Sequence, residues 1–269
     1  MMEAANRAVA DMFRFIANED FACEFVLSPR RVRVKVGEVC LADTVRAMLY
    51  RERGRVPVYY FPKADIRMDL LESGNHESQC PYRGRAEFWD LKTGGGMREN
   101  ILWSYPEPCA ELASMADYCA FTWGQVDHWF EEEDEIFIHA RDPFKRIDVV
   151  ASSRPVEVRL GGVTVAGSTR ALFLFETNLL VRYYLPMEDV RMDLFAPSDS
   201  RTSCPYKGDA IYWSANIGGE SFPDIVWSYP EPIPECPRIK GYLSFYNEKV
   251  DAILVDGEET PKVRAFISW

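Results

Sequence analysis

The chain has 269 residues, 47% of them hydrophobic and 13% aromatic, and a net charge of −11. That apolar content excludes a disordered chain. The acidic balance, with no clustered Lys and Arg, argues against a nucleic-acid or anionic-membrane partner.

In chain order, residues 4–17 place Ala5, Ala8, Val9, Met12, Phe13 and Ile16 at spacings of three and four. This predicts a short N-terminal helix within a cap spanning 1–27. From Ser28 the period changes to two. Val32, Val34 and Val36 alternate with Arg33 and Lys35, and Gly37 follows: a half-buried strand and a turn. Short strands are expected at 45–50, 58–61, 66–71, 86–91, 100–104 and 117–122. No helical pattern separates them, which predicts an antiparallel barrel or sandwich. Residues 128–151 form an acidic, aromatic connector around Trp129, Phe130, Ile136, Phe137 and Phe144. It is too apolar for a flexible linker and is expected to lie against the domains and help set their orientation.

The same pattern then recurs. Residues 28–127 align with 152–251 at a constant offset of 124 without a gap, with 38 identities in 100 pairs. A repeat of this length is a whole small domain rather than a solenoid unit. The reading is therefore an all-β protein of two tandem domains, 28–127 and 152–269, the second carrying the C-terminal tail.

The candidate site residues come from the blocks that repeat. Cys80-Pro81-Tyr82-Arg83-Gly84 matches Cys204-Pro205-Tyr206-Lys207-Gly208. Pro fixes φ and Gly permits positive φ, so each is a shaped turn that either holds a cation beside a Tyr and a thiol or is simply structural. Tyr59-Tyr60 and Tyr183-Tyr184 end strands, so one ring of each pair should face the core and the other the opposite surface. Glu52 and Glu176 match and could meet Arg83 and Lys207 as ion pairs or as acid/base couples. Trp103-Ser104-Tyr105-Pro106-Glu107-Pro108 repeats as 227–232 and leaves the sheet at its prolines. Its Tyr105 and Tyr229 could line a pocket. Arg30 and Arg154, at the strand starts, read as surface residues. His139, Arg141 and Asp142 form the one His-centred polar cluster, either a binding element or a turn.

Of the 7 cysteines only Cys80 and Cys204 repeat, and none forms Cys-x-x-Cys. Reduced thiols follow, with no zinc ligands. No basic-then-apolar leader and no long apolar run occurs, so the expected location is cytoplasmic. Phosphate-loop, dinucleotide-loop and nucleophile-elbow signatures are missing from the sequence, and no cofactor is assigned.

Tyr-Tyr-x-Pro, Asp-Val/Ile-Arg, Cys-Pro-Tyr-Lys/Arg-Gly, Trp-x-Tyr-x-x-Pro and Tyr-x-x-Phe-x-x-x-x-Val-Asp follow one another in both copies. This string resembles the domain-of-unknown-function family 427, over about 200 of the 269 residues. The resemblance implies small, tent-like all-β barrels similar to the Mss4-like group. Zinc does not carry over, because the cysteine pairs of that group are missing. Nor does the nucleotidyltransferase label sometimes attached to the family, because no Gly-Ser turn precedes paired aspartates. The family brings no established substrate.

The functional expectation is a small-molecule pocket in each domain. Glu176, Tyr184, Cys204, Tyr206, Lys207 and Tyr229 line one; Glu52, Tyr60, Cys80, Tyr82, Arg83 and Tyr105 line the other. His139 and Arg141 are further binding candidates. Any chemistry would use Glu176 and Lys207 as acid/base groups, with Tyr206 or Tyr229 as proton donor. The alternative is a non-enzymatic scaffold or protein-binding module using the groove between domains. The ligand and the oligomeric state are left open.

Overall fold

The computed structural model describes residues 12–16 and 22–262. The chain divides into two compact units at Asp142/Pro143. The first unit carries β1 (Met12–Ile16), β2 (Ala22–Leu27), β3 (Val32–Val36), β4 (Val39–Thr44), β5 (Met48–Glu52), β6 (Val58–Pro62), β7 (Leu71–Cys80), β8 (Gly84–Thr93), β9 (Gly96–Ser104), β10 (Tyr118–Phe121), β11 (His128–Glu131) and β12 (Asp134–Ile136). The second carries β13 (Ile147–Ala151), β14 (Val156–Leu160), β15 (Val163–Ser168), β16 (Leu172–Glu176), β17 (Arg182–Pro186), β18 (Phe195–Cys204), β19 (Gly208–Ile217), β20 (Glu220–Ser228), β21 (Tyr242–Phe245), β22 (Ala252–Val255) and β23 (Glu258–Glu259).

Each unit has one large and one small antiparallel sheet. The large sheets run β1-β2-β5-β6-β10-β9-β8-β7 and β13-β16-β17-β21-β20-β19-β18; the small ones run β12-β11-β3-β4 and β15-β14-β22-β23. The repeat reproduces the register: Cys23 pairs with Glu52 as Ile147 pairs with Glu176, and Phe88 with Trp103 as Tyr212 with Trp227. The alternation read at Val32–Val36 is the observed one, with the valines buried and Arg33 and Lys35 half-buried.

Both faces of each large sheet are covered. On one face Val32, Val34, Leu41, Tyr59, Phe61, Leu102 and Trp129 form a core against the small sheet. On the other, Cys23, Phe25, Tyr50, Tyr60, Ala86 and Tyr105 meet under Leu112 and Met115 of the 3₁₀ segment Ala110–Asp117. Side chains from β2 and β8, far apart in strand order, touch the same cluster, so the sheet curls over it. The second unit repeats this arrangement.

Several expectations change. Among the described residues the sheets curl but their ladders do not close, so neither unit forms a closed barrel there. Met12–Ile16, expected at the end of a helix, is a strand paired with Ala22–Val26; the rest of that expected helix, 4–11, lies outside the described residues. Residues 66–71 hold a 3₁₀ turn, Met68–Leu70, leading into the ten-residue β7. β7 lacks an apolar period because it is an exposed edge strand. The connector 128–151 is not one piece: β11 and β12 complete the first unit's small sheet, and β13 forms an edge of the second unit's large sheet. Both rings of each tyrosine pair are buried, because the face opposite the main core carries a second core.

Candidate functional site

The Cys-Pro-Tyr-Arg/Lys-Gly turns close the hairpins β7–β8 and β18–β19, where Cys80 pairs with Gly84 and Cys204 with Gly208. Glycine is required at both positions. Gly84 has φ +82°, and a Cβ there would sit 2.6 Å from the Glu107 carbonyl oxygen; Gly208 has φ +105°, and its Cβ would lie 3.0 Å from that of Glu231. The two most strongly repeated motifs therefore pack on each other. In the second unit the Ile233 amide donates to the Lys207 carbonyl at 3.1 Å. So anchored, each turn sends its cation across the curl to the end of the strand that carries the matched glutamate.

In the second unit Lys207 Nζ donates to Glu176 Oε2, and Lys145 Nζ lies 2.7 Å from Glu176 Oε1. Side-chain exposure is 4% for Glu176, 11% for Lys207 and 22% for Lys145. One buried carboxylate is thus shared by two ammonium groups, leaving a local excess of one positive charge. Burial pushes the Glu176 carboxyl up, but Lys207 and Lys145 outweigh it and hold it below the ordinary glutamate value. Lys145 also lies 5.0 Å from the centre of the Tyr206 ring, a cation–π contact. Behind the pair, Tyr184 accepts from Trp227 Nε1 at 3.3 Å, and Tyr229 packs in the same cluster with Cys204 at its margin. Burial raises the Tyr184 and Tyr229 hydroxyls, so both stay protonated.

The first unit builds the same corner differently. Arg83 Nη1 lies 3.4 Å from Glu52 Oε2. Its guanidinium stacks over Tyr50 and Tyr105, 5.3 and 5.2 Å from the ring centres, and its Nε donates to Cys80 Sγ at 3.3 Å. Tyr50 donates to Glu52 at 2.9 Å, and Arg55 to the other carboxylate oxygen at 2.7 Å. Tyr60 is fully buried, and its hydroxyl faces Arg83 without meeting hydrogen-bond geometry to any partner. Tyr82 lies half-buried at the edge of this cluster.

The structure thus gathers eleven candidates into two equivalent corners: Glu52, Tyr60, Cys80, Tyr82, Arg83 and Tyr105, and Glu176, Tyr184, Cys204, Lys207 and Tyr229, with Tyr206 at the second one's rim under Lys145. It leaves out His139 and Arg141. His139 Nδ1 meets the Ala140 carbonyl, and Arg141 pairs with Glu131 at 3.0 Å, on the other side of the large sheet. Glu131 is buried, also binds Arg30, and accepts from Tyr59 at 2.8 Å. Arg30 is therefore half of a buried pair rather than a plain surface residue.

Sequence reasoning missed Lys145, Tyr50 and Glu131. Tyr50 was accessible to it, two residues before Glu52 and so on the same strand face. Lys145 lies outside the repeat and Glu131 aligns with Val255 in the second copy, so neither carries a repeat signal.

A groove of about 450 Å³ opens elsewhere in the second unit, beside Val156, Gly167, Arg170, Asp189 and Leu254, and no candidate residue lines it. Among the described residues no His, Cys, Asp and Glu cluster is arranged to hold a metal ion, and no helix is long and apolar enough to cross a membrane.

No curated protein matches the chain. The family described as Domain of unknown function (DUF427) matches twice, over residues 24–132 and 148–256. Each match takes in most of one large sheet, with its matched glutamate and cationic turn. The chain belongs to the DUF427 family, as a member with two copies in tandem.

Proposed function

We propose that this is a cytoplasmic small-molecule-binding protein whose units each take a small organic anion, a carboxylate or phosphate ester, at the corner between the cationic turn and the matched glutamate. The carrying observation is Glu176 held between Lys207 and Lys145, a buried carboxylate with one positive charge in excess beside aromatic walls. A ligand anion would satisfy that charge, and Tyr206 would offer an aromatic face. Acid/base catalysis by Glu176, Lys207 and Tyr206 is the further step of this reading. It requires ligand to part the pair, since Lys207 Nζ and Glu176 Oε2 are bound to each other. The curl of each sheet over this corner also supports the likeness to the Mss4-like group.

The test is a thermal-shift screen of the full chain against metabolite carboxylates and phosphates. A ligand that binds only the folded state stabilises it by about 2.7 kcal/mol at a hundredfold excess over Kd. Lys145→Gln should weaken the response, because that side chain reaches solvent and can be changed without stranding a buried charge. A panel that leaves the midpoint of the wild-type chain unmoved would refute the proposal.

A further inference from the structure

The two turns differ in what their cation does. Lys207 turns to Glu176, whereas Arg83 keeps its Nε on Cys80 Sγ at 3.3 Å while its Nη1 reaches toward Glu52. The geometry points to Cys80 as a reactive thiolate and a site of oxidation by hydroperoxides, with Arg83 and Tyr60 as the donors that receive the added oxygen. This goes beyond the anion-binding reading and does not depend on a ligand.

Four observations carry it. Cys80 is partly exposed, as attack requires. Its sulfur accepts from Arg83 Nε at 3.3 Å, a cation that the turn places three residues on. Around that guanidinium stand the carboxylate of Glu52, itself engaged by Arg55 and Tyr50, and the neutral phenols of Tyr50 and Tyr105. Finally, the Tyr60 hydroxyl is a buried donor with no acceptor, facing the same guanidinium; a buried group in that state calls for a partner. The titration directions agree. Burial pushes the Cys80 thiol up, but the Arg83 and amide hydrogen bonds outweigh it and lower it. Burial raises Cys23, Cys109, Cys119 and Cys236.

The step balances. The Cys80 thiolate attacks one oxygen of the hydroperoxide; an S–O bond forms and the O–O bond breaks. Hydroxide or alkoxide leaves and is neutralised by a proton from the buffer acid. Sulfur gives up two electrons, the peroxide gains them, and Cys80 becomes a sulfenic acid.

The experiment treats the full chain with limiting hydrogen peroxide, traps sulfenic acid with dimedone, and quantifies adducts at all seven cysteines by peptide mass spectrometry. Because the thiolate is the attacking species, Cys80, with the Arg83 guanidinium on its sulfur, should be labelled faster than Cys204 and Cys40, which are also partly exposed. Arg83→Lys should bring Cys80 down to the Cys204 rate, and Lys207→Arg should raise Cys204. Tyr60→Phe should shorten the lifetime of the sulfenic acid. Labelling of Cys204 or Cys40 as fast as Cys80 in the wild-type chain would overturn the proposal, whatever the variants do. So would an unchanged Cys80 rate in a folded Arg83→Lys protein.

Discussion

Replacing Glu176 by Leu would leave Lys207 charged, buried and without its partner. The two lysines differ in how they can respond. Lys145, on a more exposed side chain, can swing to water; Lys207 is 11% exposed and fixed by a turn that packs on Glu231. Breaking a buried pair by removing one partner costs about 3–5 kcal/mol, and solvent screening is slight here. Glu176→Leu should therefore lose about 3 kcal/mol or more in urea unfolding at pH 7. Circular dichroism would follow the whole chain, and hydrogen exchange of peptides from 143–262 would assign the loss to the second unit. Adding Lys207→Met should restore most of it, because a packed apolar pair removes the desolvation penalty. The equivalent Glu52→Leu should cost less, about 1–3 kcal/mol, since Arg83 keeps its contacts with Cys80, Tyr50 and Tyr105. A Glu176→Leu loss below about 1 kcal/mol, or a double variant no better than the single, would refute the idea that this pair is buried and interdependent.

The Glu176 carboxyl is held below its usual 4.5, so its stabilising contribution is present above that value and fades as pH falls through the folded value; an acid titration of wild type against Glu176→Leu should converge at low pH. Gly84→Ala should destabilise by about 2 kcal/mol or more in urea unfolding, and by more than Gly208→Ala, because it combines strained φ with the closer backbone approach. Tyr60→Phe should be neutral or slightly stabilising, within about 1 kcal/mol by chemical denaturation, because it removes a buried hydroxyl that has no partner. Glu131→Gln should cost about 3 kcal/mol, read the same way, by stripping the charge that Arg30 and Arg141 share.

The sequence by itself determined the all-β class, the repeat and the identity of most corner residues. Two copies constrained to one fold keep the residues that shape a turn, such as Gly84 and Gly208, and those that meet across the curl, such as Glu52 and Glu176. Their coincidence at a fixed offset is visible without coordinates. Local pattern also sufficed for β3 and β14, whose alternation reflects one buried face. It failed for the polar edge strand β7, which buries too little to leave a period, and for β1, where apolar spacing gave way to pairing along β2. Only the tertiary structure decided what covers the second face of each large sheet. That face is closed by chain returning from far away in sequence, so Tyr60 and Tyr184 became core rather than surface. The same holds for charge. Lys145 reaches Glu176, and Arg30 and Arg141 reach Glu131, because sheet curvature and strand order bring distant segments together. An ion pair depends on separation in space, and no period or spacing along the chain encodes that separation.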